Sequence, residues 1–461
     1  MNRLPPEVLT SCVTFVSDTD PRPIVSLTHV CRYWRSSIST NPRNWALIST
    51  GWKRLAPLCL ERAGAVPLAI DITVSDVKSG EDFLELLIPK TSRIFSLRLT
   101  GYPLIEVVAG ALPGFFDQSM PNLTSLELQQ TTEPTESLPL NETPVPPVFR
   151  NITKLESLRL TRTPLYPPLF NITSLRELQL LGYTNPLHFG TFIGFLDSNR
   201  DLEHVVFDVQ FVTDSVETVP ARAVPLPHLR HLSVTCHKEI DSKLLLSSIS
   251  FSRGGVRIDI IFAGLDQSIN LGSFLPSPPT PIQDLLAPIN TIKSQFTPQE
   301  LQVFGNGSVF TFRSPKAVLG VHPEFGSFSS TTVREFHANI RPVTYHDITV
   351  LWVLERLPAL ETLAFSGTEF PLGLIPALTK EPVLCPALRT IALFDCDPDP
   401  DIITELGEAI TKRRNSTAAP LHRVVIVSST GAPPNLASIQ QLRKCVPRVE
   451  VRVDDELPDL A

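Results

Sequence analysis

LESLRL at residues 155–160 is the clearest copy of a pattern, LxxLxL, that recurs along most of this chain. Side chains in a strand alternate between two faces, so the leucines at positions four and six point to the same side. The leucine at position one is expected to join them. The pattern therefore predicts a short strand with one buried apolar face. Further copies begin at Ile94, Leu123, Leu175, Leu202, Leu229, Leu360 and Leu388, with weaker ones at Leu421 and Val446.

The spacing of these copies indicates a repeat. Leu175, Leu202 and Leu229 follow one another at intervals of 27 residues. Between strands, residues 186–199 and 401–413 carry apolar residues at helical spacing, as do residues 346–357. A strand and a returning helix at this period are typical of leucine-rich repeats, which predicts an α/β fold with parallel strands inside and helices outside, curved into a horseshoe. A doubly wound α/β sheet, which also alternates strands and helices, is the alternative.

Two stretches interrupt the repeat. Residues 131–147 contain five prolines and three glutamates, which favours an exposed loop between two repeats. Residues 264–330 carry few copies of the pattern, although Val309–Phe312 (VFTF) suggests an irregular strand. Between about 256 and 333 there is room for three repeats of roughly 26 residues at the repeat period.

The side chains at positions three, five and seven of LxxLxL should lie on the face opposite the buried leucines. Repeat proteins usually bind their partners on that concave face. It is mixed in charge and identifies no ligand. The substrate-facing residues predicted in this way are Arg98, Glu127, Arg159, Gln179, His204, Asp208 and His231, and the same rule adds Thr362, Ala364, Thr390 and Ala392 in later repeats.

The first fifty residues follow a different pattern. Pro5 and Pro6 suit the first turn of a helix, and turn residues at 17–21 break it. A second helix is predicted at about 24–30 and a third at about 32–39. Apolar residues cover more faces than three short helices can bury against one another, so this region is expected to pack on a partner.

This stretch resembles the F-box over residues 3–48. The resemblance rests on LPPEVL, an acidic turn, IVSLTHVCRYWR and a trailing Trp. It implies binding to the small adaptor subunit of a cullin–RING ubiquitin ligase. The positions that match the motif, and so imply adaptor contact, are Leu4, Pro5, Val8, Leu9, Leu27, Val30, Cys31, Trp34 and Trp45. Where the family has a short acidic turn and two leucines, this chain has residues 18–25 with two prolines. The alternative is a helical cap that seals the repeats.

Composition limits the function classes. The 461 residues carry a formal net charge of -7, which argues against nucleic acid as a ligand because phosphate neutralisation needs clustered cations. Seven cysteines without a CxxC pair indicate reduced thiols in an intracellular protein, cytoplasmic or nuclear. No signal-peptide pattern and no apolar run of about 18 residues is present, so no membrane association is expected.

Catalytic, nucleotide-binding and dinucleotide-binding motifs are missing from the sequence. His228, His231, Cys236 and His237 could suggest zinc, but strand alternation sends them in different directions. We therefore expect a non-enzymatic protein without cofactor or metal. The resemblance implies a substrate receptor with an F-box at 1–50 and leucine-rich repeats at 51–461, which links a target protein to the ligase. The alternative is a repeat scaffold without a ligase.

Overall fold

The computed structural model describes the chain in segments and divides it into two compact units, residues 1–217 and 218–461. The described residues are 5–17, 22–101, 104, 113–131, 152–163, 169, 171–182, 187–208, 211–212, 223–236, 239–251, 255–263, 289–294, 300–305, 308–313, 333–339, 350–351, 354–355, 357–367, 370–371, 373–395, 399–416, 420–428 and 436–453. Leu4, most of the predicted loop at 131–147 and much of the predicted helix at 346–357 lie outside them.

The first unit opens with helices and continues as alternating strands and helices. Its helices are α1 (Pro6–Ser17), α2 (Arg22–Thr28), α3 (Arg32–Thr40), α4 (Ala56–Arg62), α5 (Val77–Leu87), α6 (Pro113–Phe116) and α7 (Phe189–Ser198), with 3₁₀ turns at Pro42–Trp45, Thr50–Trp52 and Ile88–Arg93. Its strands are β1 (Leu47–Ser49), β2 (Leu68–Val74), β3 (Ile94–Gly101), β4 (Ser125–Gln130), β5 (Ser157–Thr161), β6 (Glu177–Leu181), β7 (Leu187–His188), β8 (His204–Asp208) and β9 (Phe211–Val212).

The sheet of the first unit is parallel, in the order β1-β2-β3-β4-β5-β6-β8. The register places equivalent positions of LxxLxL side by side, and each column is buried. One column is Leu97, Leu126, Leu158, Leu178 and Val205, and the next is Leu99, Leu128, Leu160, Leu180 and Phe207. The prediction that these positions are buried is confirmed, as is a mixed α/β fold with parallel strands.

Helix α7 shows how a returning segment is fixed. Phe192, Phe195 and Leu196 recur at helical spacing and are buried. Phe192 packs against Phe207 of β8 with ring centroids 5.2 Å apart. At the end of the helix, the buried side chain of Asn199 bonds to the turn that precedes β6, through the carbonyl of Ile172. The helix predicted at 186–199 is thereby placed against the strand that follows it and the repeat before it.

The second unit repeats the alternation. Its strands are β10 (Val224–Leu226), β11 (His231–Cys236), β12 (Ile249–Phe251), β13 (Arg257–Phe262), β14 (Ile289–Ser294), β15 (Glu300–Gly305), β16 (Ser308–Arg313), β17 (Glu335–Asn339), β18 (Thr362–Ser366), β19 (Thr390–Phe394), β20 (Arg423–Ser428) and β21 (Arg448–Val453). Its helices are α8 (Glu239–Ser248), α9 (Leu374–Thr379), α10 (Pro400–Arg414) and α11 (Leu436–Cys445). The predicted helix at 401–413 corresponds to α10.

An antiparallel meander interrupts the sheet of the second unit, whose order is β11-β13-β16-β15-β14-β17-β18-β19-β20-β21. Strand β15 runs antiparallel to β14 and to β16, while the other neighbours are parallel. Two residues separate β15 from β16 and five separate β14 from β15, which is too short for the crossover that parallel strands need. In the described part of this region, the meander takes the place of the repeats that the length alone would allow.

None of the described helices is long and apolar enough to cross a membrane. None of the six described cysteines forms a disulfide.

Candidate partner-binding surfaces

The face of the first sheet opposite the leucine columns carries a row of alternating charges. Asp71, Arg98, Glu127, Arg159 and Gln179 stand side by side on successive strands. Arg98 Nε lies 3.2 Å from Glu127 Oε1, and Arg159 Nη2 lies 3.3 Å from an oxygen of Glu177. Exposed pairs of this kind contribute little to stability, typically below about 1 kcal/mol. The predicted residues therefore share one polar face, with their charges paired along it.

Two further acidic residues lie on this face: Glu177, which position three of its LxxLxL copy predicts, and Asp71, which was not predicted. Asp71 lies on β2, whose sequence LAIDITV lacks the LxxLxL pattern, although its alternation of buried and more exposed residues carries the same information. Glu177 precedes Gln179 by two residues and accepts a hydrogen bond from Ser157. His204 and Asp208 lie half-buried on β8, where His204 is in register with Glu177.

In the second unit, the predicted residue His231 bonds to a buried carboxylate. Its Nε2 lies 2.9 Å from Asp259 Oδ2, and Arg257 Nε lies 2.9 Å from the same oxygen. Asp259 is buried, so its charge is stabilised by these partners rather than by water. Sequence reasoning missed Asp259 because RIDIIF at 257–262 has no LxxLxL signature.

The middle positions of the later strands are apolar and buried. Ala364, Ala392, Val425 and Val427 form one cluster, with Phe394 packed against it. The prediction that Ala364 and Ala392 belong to an exposed binding face is therefore wrong. Beside this cluster, Glu450 of β21 accepts two hydrogen bonds from Arg423, both at 3.0 Å. Those bonds, with Arg448 nearby, hold the pKa of Glu450 below its usual value.

No group of three or more His, Cys, Asp and Glu that could hold a metal occurs among the described residues. Of the residues that could suggest zinc, Cys236 is buried and His228 is exposed, while His237 lies outside the described part.

The N-terminal helices pack around a small core of their own. Leu9 and Val13 of α1, Ile24 of α2 and Ile38 of α3 are buried, and the three helices contact one another. The carbonyl of Ile38, near the end of α3, accepts hydrogen bonds from the indole Nε1 of Trp45 at 3.1 Å and from Asn44 at 3.2 Å. Helix ends leave such carbonyls without intrahelical partners, so this pair of donors fixes the turn after α3.

Large apolar side chains are nevertheless left exposed in this region. Val8 is 44% exposed and Val30 is 58% exposed, and Tyr33 is also exposed. In the described part of the chain, only Leu86, Phe95 and Leu436 are further large apolar residues of this kind. Half of the exposed large apolar residues of the described chain therefore lie within 26 residues near the N-terminus, which makes these helices candidates for contact with a partner.

The family model of the F-box domain matches residues 1–45. Residues 1–45 are an F-box domain. F-box domains generally bind the adaptor subunit of cullin–RING ligases. A search of curated proteins found none that matches this chain.

The predicted adaptor contacts of the F-box domain differ in exposure. Pro5, Val8, Val30 and Cys31 are exposed, while Leu27 and Trp34 are half-buried. Leu9 is 1% exposed and Trp45 is 3% exposed, so these two side chains have little surface to offer a partner. Trp45 instead carries the guanidinium of Arg62 over its ring at 4.4 Å, which joins the F-box domain to α4.

Proposed function

We propose that this protein is a substrate receptor of a cullin–RING ubiquitin ligase. The F-box domain would bind the adaptor, and the remaining chain would hold a target protein near the ubiquitin donor. The protein then acts by proximity rather than by chemistry of its own, so neither a cofactor nor a metal is required. The carrying observation is the match to the F-box domain at residues 1–45 together with the exposed apolar side chains of that segment.

We further propose that the rest of the chain is a leucine-rich-repeat horseshoe inside the cell. Support comes from the parallel register, which stacks LxxLxL leucines into buried columns, and from the helices that return between strands. The row Arg98, Glu127 and Arg159 would then lie on the face that meets the target. Small-angle scattering should give the profile of a curved, elongated particle, and a profile of a sphere would contradict this proposal.

Adaptor binding can be tested on the most exposed apolar positions. The variant Val8→Asp with Val30→Asp is expected to lose adaptor and cullin from a pull-down of the full chain, because one interface anchor contributes roughly 2–4 kcal/mol. Leu436→Asp is the matched control, since Leu436 is 67% exposed but lies on α11 of the second unit. The control should retain both subunits.

Two results would contradict the receptor function. One is a wild-type chain that captures no adaptor, which would favour a repeat scaffold without a ligase. The other is a Val8, Val30 double variant that captures as much adaptor as the wild type, which would show that these two side chains do not contribute to adaptor binding. Far-UV circular dichroism of each variant should match the wild type, because the substituted side chains are exposed.

A further inference from the structure

A pocket of about 340 Å³ lies where α10 and α11 end. Its walls are the last turns of both helices, the segment that enters β20 and the turn that enters β21. Pro420 and Pro447, which are both exposed, line it with apolar surface. The volume falls near the lower end of the roughly 300–1,000 Å³ that small-molecule sites occupy.

The charged part of the lining is entirely basic. Arg414 of α10 and Arg443 and Lys444 of α11 line the pocket, with His422 beside them. None of the described lining residues is acidic, and no described carboxylate forms an ion pair with these three cations. This concentration of positive charge stands out in a chain with a net charge of -7.

Cations are common in the last turn of a helix because they interact favourably with its dipole. The two helix ends together contribute about one negative charge at this place. Three permanent cations line the same pocket, so a surplus of about two positive charges remains after the dipoles are counted. The dipoles therefore do not account for the whole of this basic lining, and an anion would be attracted to the pocket.

The backbone that carries these cations is anchored. Thr411 Oγ1 lies 3.2 Å from Cys445 Sγ, so the two helix ends are in direct contact. Next to Arg414, the buried guanidinium of Arg413 donates to the carbonyls of Leu384 and Cys385 at 2.8 and 2.6 Å. A site held in place before its ligand arrives loses less entropy on binding.

We propose that this pocket binds a phosphate monoester. The phosphate would lie against Arg414, Arg443 and Lys444, because the guanidinium fork matches phosphate geometry and ammonium adds a further point charge. The organic group would lie against Pro420 and Pro447. Inorganic phosphate has no apolar part, so the apolar lining of the pocket adds nothing to its affinity. This site is independent of adaptor binding by the F-box domain.

Isothermal titration of the full chain with phenyl phosphate tests the proposal. Phenyl phosphate should bind more tightly than inorganic phosphate, phenol should not bind, and the affinity should fall as salt is added. Arg414→Glu and Arg443→Glu should each weaken binding at least about tenfold, as expected for the loss of a hydrogen bond to a charged group. Lys412→Glu, on the last turn of the same helix but outside the lining, is the matched control and should bind normally.

A second arm identifies the source of the ester. The probe is a capped tripeptide that contains phosphotyrosine. If it binds more tightly than phenyl phosphate, the natural ligand is a modified protein, and if the two affinities are equal, the ligand is a small molecule. Both results support the pocket. Absence of phenyl phosphate binding overturns it, as does an equal loss of affinity in Lys412→Glu. If inorganic phosphate and phenyl phosphate bind with equal affinity, the apolar lining makes no contribution, and the proposal that the ligand is a monoester is wrong.

Discussion

The substitution Asn199→Ala tests whether buried hydrogen bonds of one side chain stabilise the contact between two successive repeats of the first unit. Asn199 follows α7, is fully buried and uses its side chain in three hydrogen bonds. Its Oδ1 accepts from the amide of Leu175 at 3.2 Å, and its Nδ2 donates to the carbonyls of Ile172 and Phe195 at 2.8 and 2.9 Å. Alanine removes all three bonds and leaves those buried backbone groups without this partner.

The expected loss follows from the count of bonds. A net hydrogen bond contributes about 1 kcal/mol, and a buried group left unsatisfied costs about 1–3 kcal/mol. Three bonds therefore give an expected destabilisation of about 3 kcal/mol, a large part of the roughly 5–15 kcal/mol of a typical domain. Asn122→Ala is the matched control, because Asn122 also bonds a backbone carbonyl, that of Ser92, but is exposed. Asn122→Ala should lower the free energy of unfolding by less than about 1 kcal/mol.

Urea unfolding measures the free energy, and amide hydrogen exchange at Leu175 reports the local effect. The exchange measurement is needed because the chain has two compact units, and proteins with more than one unit often do not unfold in a single two-state transition. We expect faster exchange at Leu175 in Asn199→Ala and unchanged exchange in Asn122→Ala. If Asn199→Ala costs no more than Asn122→Ala, or leaves the exchange at Leu175 unaltered, the hydrogen-bonded connection between these repeats is not what stabilises them.

Two further predictions concern titratable side chains. Burial raises the pKa of the Cys385 thiol to about 12. Iodoacetamide at pH 8 should therefore label the exposed Cys12 and Cys31 and leave Cys385 unmodified, as measured by mass spectrometry. Labelling of Cys385 as early as the exposed cysteines would contradict its burial. Arginine contacts lower the pKa of Glu450, so its stabilising effect is present above the unfolded pKa and is lost as the pH falls through the lower folded value. Glu450→Gln should therefore be less stable than the wild type in urea at pH 7 and converge with it in acid, whereas a difference that does not change with pH would refute the assignment.

Local patterns in the sequence were sufficient for the elements that repeat. LxxLxL predicted which side chains of β4, β5 and β6 are buried, because alternation within a strand is a local property. The helices α7 and α10 followed from apolar spacing in the same way. The F-box segment was recognisable because its motifs occur in a fixed order over a short stretch, and the domain match at residues 1–45 agrees with it.

The exposure of individual site residues could not be read from the motif. Leu9 and Val8 are adjacent in α1, yet only Val8 is exposed, because the packing of three helices decides which face is covered. Ala364 and Ala392 occupy the same repeat position as Arg98, yet they are buried. The sequence pattern specifies on which side of a strand a residue lies, and the surrounding packing specifies whether that side meets solvent.

The sequence by itself determined the repeated strand and helix units, the buried leucine positions and the F-box segment, since each depends on residues close together in the chain. Only the tertiary structure decided the strand order around β14, β15 and β16, where a meander enters a parallel sheet. It also brought Asp259 to His231 and placed the ends of α10 and α11 around one basic pocket. The contact of His231 with Asp259 and that of α10 with α11 join residues 28 and 34 positions apart, and such pairings depend on how whole elements pack rather than on any local pattern of side chains.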